Sequence, residues 1–160
     1  MRPFTLLFVA LLTAGCGSGG GSLVTGDTSH ASTEDFQVLI SQTNTPMVMR
    51  GQTSTDVLFE IDVKNRTDKP WNIEKIALQS MSGGSYRVPV STRKYERTIA
   101  PGQEEKFEFW VTIDFDDEIL GARPAMVMRA KLYAEADGVK RQEEFTGSVN
   151  GRLTVGGVGR

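Results

Sequence analysis

From Phe36 to Val155 the large apolar residues of this chain recur mostly at every second position rather than every third or fourth. Successive side chains of an extended strand point to opposite faces, so this habit demands half-buried strands. The clearest run sets Phe107, Phe109, Val111 and Ile113 on one face and Lys106, Glu108, Trp110 and Thr112 on the other. Val57 to Val63 alternates the same way, and Phe36 to Ile40 begins the pattern. From Trp71 to Gln79 the apolar parity changes between Trp71 and Ile73 and the later Ile76 and Leu78, which places a β-bulge near Glu74 and Lys75. Tyr86, Val88 and Val90 mark a short strand, Tyr95 to Ile99 another, and Phe145 to Val155 a last one.

Ala125 to Ala136 is the ambiguous stretch, because Ala, Met, Leu, Lys and Glu all favour helix. A helix there would make the fold α+β. Two observations favour a strand: Met126, Met128, Ala130, Leu132 and Ala134 keep period two, and Asp137-Gly138 is a hairpin signal. Turn chemistry separates the other runs. Asn65 to Pro70 and Ser82-Gly83-Gly84-Ser85 are turn clusters, and Ala100-Pro101-Gly102-Gln103 carries Pro and Gly at the centre of a type II turn. Seven or eight strands so spaced describe one all-β, antiparallel sandwich spanning 34–156, with 157–160 a tail. Val57 to Val63 and Phe107 to Ile113 should then be neighbours in one sheet.

The strand running into Lys64-Asn65 and the Ala-Pro-Gly-Gln turn before a strong Phe/Val strand resemble Ig-like and fibronectin-like domains, including those of bacterial and plant stress proteins. The resemblance implies an Ig-like sandwich and carries no catalytic residue with it.

Ahead of the sandwich the composition changes. Met1-Arg2-Pro3 is a short basic start, Phe4 to Leu12 an apolar run, and Thr13-Ala14-Gly15 a set of small residues, which is the anatomy of a secretory signal peptide over 1–15. The apolar run is far short of the roughly 20 residues of a membrane span. Thr13-Ala14-Gly15-Cys16 resembles the bacterial lipoprotein signal, or lipobox, with Thr13 where that family prefers Leu. The resemblance implies cleavage before Cys16, a diacylglyceryl thioether on its sulfur and a further acyl chain such as palmitate. Two or more chains hold a protein stably on a membrane, so the covalent lipid would need no help from the fold. Gly17 follows Cys16 where an Asp would favour retention in the inner membrane, which implies the outer membrane, facing the periplasm. Cys16 is the only cysteine, so no intrachain disulfide can form.

Residues 16–33 are rich in Gly, Ser and Thr and read as a flexible tether. Its reach is about 5–6 Å times the square root of its length, or roughly 20–25 Å. His30, the only histidine, falls within it as a solvated linker residue. Cleavage removes Arg2 alone from 18 basic residues set against 20 acidic ones, and the resulting acidic balance argues against nucleic acid as a partner.

Catalysis commonly uses a positioned His, Cys or carboxylate pair. Cys16 and His30 both precede the sandwich, and no GxSxG, HExxH or GxxxxGK[ST] motif occurs, so the chain reads as non-catalytic. Asp114, Asp116, Asp117 and Glu118 form the densest acidic group, at a strand end where oxygen ligands could take calcium or simply be solvated. Met47 with Met49 and Met126 with Met128 are thioether pairs that could hold Cu(I), or pack as core. Arg93-Lys94, Arg97 and Lys140-Arg141 read as solvated strand faces. Leu58 and Trp110 break the polar sides of the two central strands and are the candidate interaction residues. They either anchor a partner or lie beneath a loop such as 46–52. The expectation is a lipid-anchored, non-catalytic module that binds or scaffolds an envelope protein or glycan. Metal handling is the alternative.

Overall fold

In a computed structural model, residues 30–82, 84, 86–116 and 125–156 are described. The signal segment, Cys16, the tether through residue 29, Asp117, Glu118 and 157–160 lie outside the described residues. Alternation becomes strand at β1 (His30–Ser32), β2 (Phe36–Gln42), β3 (Met47–Val48), β4 (Ser54–Asn65) and β5 (Trp71–Ser82). It continues in β6 (Ser91–Ile99), β7 (Glu104–Asp114), β8 (Ala125–Ala136), β9 (Val139–Asn150) and β10 (Thr154–Val155). No helix occurs among the described residues, so Ala125 to Ala136 is a strand. Burial of its even-numbered side chains outweighs the helix preference of its residue types.

The strands form two four-stranded antiparallel sheets, ordered β1-β2-β4-β7 and β6-β5-β8-β9, with a small parallel pair of β3 and β10. β4 and β7 pair over their length, Phe59 opposite Phe109 and Ile61 opposite Phe107, as the alternation requires. The inner faces of the two sheets share one apolar core, in which Phe59, Phe107 and Phe109 meet Ile76, Leu78, Met128 and Phe145. Each such side chain contributes about 1.5–3 kcal/mol by leaving water. Trp71 from the second sheet stands edge-on to Phe36 of the first, ring centroids 5.6 Å apart.

Local chemistry accounts for the joints. The register of β5 shifts between Ile73 and Lys75, at the expected bulge. Gly102 has φ +70° and the Gln103 N–H donates to the Ala100 carbonyl at 3.1 Å. Asp137 and Gly138 both have positive φ, as a type I′ hairpin demands. Asn65 is fully buried, its amide donating to the Lys69 and Ile99 carbonyls while its oxygen accepts from Thr67.

Four details depart from the alternation. Strand pairing starts at His30, inside the expected tether, because backbone pairing to Leu39, Val38 and Gln37 asks nothing of side-chain polarity. Tyr86 to Val90 is not a strand: Pro89 has no N–H to give, and only Arg87 bridges to Asp114. Tyr86 and Val88 are still buried, whereas Val90 is 72% exposed. The last run breaks after Asn150, where a Cβ on Gly151 would lie 2.7 Å from the Tyr86 ring, and the chain turns to pair β10 with β3. Finally, Met126 and Met128 are core, but Met47 and Met49 are exposed, since the intervening Val48 takes the inward position on β3.

Candidate functional site

Leu58 on β4 and Trp110 on β7 stand directly opposite each other on the outer face of the first sheet. Inward packing of Val57, Phe59, Phe109 and Val111 forces this, because a period of two leaves the intervening residues facing out. Leu58 is half-buried and Trp110 remains 44% exposed. Cover of the indole is therefore incomplete, and the preceding segment holds Leu58 by its backbone. Its N–H donates to Asn44 Oδ1 at 2.8 Å, and its carbonyl accepts from the Thr43 N–H at 3.0 Å.

Charges frame this apolar pair. On one side the Thr112 hydroxyl donates to Asp56 Oδ1 at 2.6 Å. On the other, Glu60 lies opposite Glu108, a repulsive cross-strand pair. Lys106 relieves it: its Nζ is 2.6 Å from Glu60 Oε1 and 3.6 Å from Asp62 Oδ1. The hydrogen bond to Glu60, then the charge of Asp62, raises the Lys106 pKa. Asp62 sits low in the face, with Oδ1 lacking a hydrogen bond, and burial raises its pKa against the opposing pull of Lys106. Across the face Asp56, Glu60, Asp62, Glu104, Glu108 and Asp114 outnumber Lys64 and Lys106. The pattern is an exposed indole on an acidic surface.

The free edge of that surface is capped from the other sheet. β7 is an edge strand, and three side chains of β6 reach across to its carbonyls. Arg93 donates to Trp110 at 2.6 Å, the Tyr95 hydroxyl to Glu108 at 2.8 Å, and Arg97 to Lys106 at 3.3 Å. Arg93 also lies over Phe109 and Arg97 over Phe107, while Tyr95 meets Phe107 edge-on at 4.9 Å. Arg93 and Arg97 are therefore edge caps and not merely solvated charges. Their signal in the sequence is the Arg-x-Tyr-x-Arg spacing, which puts three long donors on one side of a strand.

At the end of β7, Asp114 exchanges two backbone hydrogen bonds with Arg87, and the Phe115 N–H donates to the Thr53 carbonyl. Asp114 and Asp116 are exposed, and their expected companions Asp117 and Glu118 lie outside the described residues. No group of three or more His, Cys, Asp or Glu is placed to hold a metal ion among the described residues. The Met47 and Met49 sulfurs converge on Gly156, at 3.4 and 3.2 Å from where its Cβ would stand.

No family model matches this chain, and no curated protein matches it. Among solved structures it is similar to a protein from Archaeoglobus fulgidus, with 13% identity over 74% of this chain and 92% of that one, at a TM-score of 0.45. It is also similar to the GAE domain of GGA2p from Saccharomyces cerevisiae, with 9% identity over 76% and 96% of the two chains, at 0.47. These likenesses say nothing of activity, and the sandwich stands on the strand pairing itself.

Proposed function

We propose that this chain is a non-catalytic binding or scaffolding module of the bacterial envelope, held on the outer membrane by lipid on Cys16 and facing the periplasm. The lipobox-like Thr13-Ala14-Gly15-Cys16 and the Gly/Ser-rich stretch after it support the anchor. The single observation that supports the binding role is the exposed Trp110 indole opposite Leu58, on an edge strand capped by Arg93, Tyr95 and Arg97. Tryptophan is the residue most enriched among interface anchors, with tyrosine and arginine. The surplus of carboxylates around it selects the partner: a protein surface carrying Lys and Arg, attracted over long range and repelled less at contact than any anionic lipid or nucleic acid.

Photo-crosslinking in living cells from positions beside Trp110, with Trp110→Ser as the control, tests this. The expected result is a specific protein adduct that disappears in the variant while its melting temperature stays within a degree or two of the parent. Loss of stability without loss of the adduct, or no specific adduct at all, refutes the reading.

A second reading, soft-metal handling, draws on the exposed Met47 and Met49, whose sulfurs face one unsubstituted glycine. Thioethers favour Cu(I). A folded chain that takes up no Cu(I) would end it.

A further inference from the structure

The outer face of the second sheet kinks where β6 pairs with the bulged part of β5. Ile73 pairs with Arg97 and Lys75 with Lys94, so between those pairs β5 supplies Glu74 and β6 supplies both Tyr95 and Glu96. The extra residue bends β6, and Glu96 takes φ +54°, the left-handed region that suits glycine and strains a glutamate. Such strain persists only where the surroundings impose it, and it concentrates at ligand sites.

Beside the kink lies a recess of about 530 Å³ lined by Asn72, Glu74, Lys75, Lys94, Glu96 and Thr98. It is open to solvent, with Lys94, Glu96 and Thr98 exposed and a lining that is mostly polar. Two of its charges are committed: Glu74 accepts from Lys140 at 2.7 Å, and Lys75 lies 4.2 Å from the centre of the Tyr133 ring. The side chains of Asn72, Lys94, Glu96 and Thr98 make no hydrogen bond or ion pair with another described residue. They offer an amide, an ammonium, a carboxylate and a hydroxyl, which together supply donors and acceptors in one small space.

We infer that this recess is a binding site for a neutral, hydroxyl-rich ligand, a saccharide unit. Its two carboxylates and two ammonium groups cancel, so an anion meets Glu74 and Glu96 while a cation meets Lys75 and Lys94. An apolar ligand would cover Asn72, Lys94, Glu96 and Thr98 without pairing any of them, which is costly. A sugar hydroxyl both donates and accepts, and so satisfies a carboxylate and an ammonium or amide at once. The site is on the opposite sheet from Trp110 and does not depend on that face.

The test is a titration of the full chain with maltose, cellobiose and chitobiose, followed by amide resonances in ¹H–¹⁵N spectra. At least one disaccharide should shift signals of residues 72–75 and 94–98 and saturate in the millimolar range. Glu96→Gly keeps the backbone conformation without strain, so it should melt no lower than the parent and yet weaken sugar binding at least tenfold. Lys94→Met, at an exposed position away from the strained residue, should weaken it similarly. No shift with any of the three sugars overturns the proposal, as does undiminished binding in both variants. A response to inorganic phosphate or to lysine alone, with the sugars silent, overturns the assignment of a neutral ligand.

Discussion

Tyr95→Phe removes a single oxygen and tests whether side chains from one sheet hold the edge of the other. The ring contact with Phe107 survives in the variant, so the change isolates the hydroxyl bond to the Glu108 carbonyl, 2.8 Å in length. A net hydrogen bond contributes about 0.5–1.5 kcal/mol, and water can reach this carbonyl at the sheet edge, which puts the expected loss at about 0.5–1 kcal/mol. With a urea slope of about 1–3 kcal/mol per molar, the midpoint should fall by roughly 0.2–1 M at pH 7. The alkaline range adds a second, independent readout. Burial pushes the Tyr95 phenol up to about 12, from an ordinary value of 10.0, against the smaller pull of Arg93 and Arg97. Between those values the unfolded chain sheds the proton while the folded chain keeps it, so this contribution is whole below pH 10 and is lost as pH rises towards 12. The half-exposed position of Tyr95 trims the size of that loss without changing its sign. Phenylalanine cannot titrate, so the stability curves of parent and variant should converge as pH rises. Tyr86, also raised by burial, titrates in both proteins and leaves each with some alkaline loss. Equal urea midpoints at pH 7 together with parallel curves to pH 12 would refute the edge-capping argument.

Two further outcomes follow from named groups. Asp62→Asn should raise the melting temperature at pH 7, because burial raises the Asp62 pKa and its charged form therefore costs stability above that pKa. The difference should close as pH falls below the unfolded carboxylate value, near 4, and a variant less stable at pH 7 would show that the Lys106 contact outweighs burial. Asn65→Ala should cost about 2–3 kcal/mol in urea unfolding, since it strands the carbonyls of Lys69 and Ile99 and the Thr67 donors. A loss below half of the lower figure would mean that water replaces them.

Side-chain period and turn chemistry are local properties, and they determined the strands of this protein from its sequence. Phe107 to Ile113 could bury its phenylalanines only as a strand, Gly102 and Gly138 sit where a positive φ is needed, and the parity change after Ile73 could be absorbed only by a bulge. The Leu58–Trp110 pair was legible for the same reason: two strands that pair with their apolar faces together must align their outward residues as well. The tertiary structure alone decided what each outward face meets. Whether a loop covers Trp110, whether Met47 joins the core as Met126 does, and which carbonyls Arg93, Tyr95 and Arg97 reach all depend on the approach of segments far apart in the chain. The strained Glu96 belongs with these, because its conformation is imposed by the pairing of β6 with β5 and leaves no trace in the preference of glutamate itself. Alternation specifies the two sides of a strand, and only packing assigns a neighbour to each.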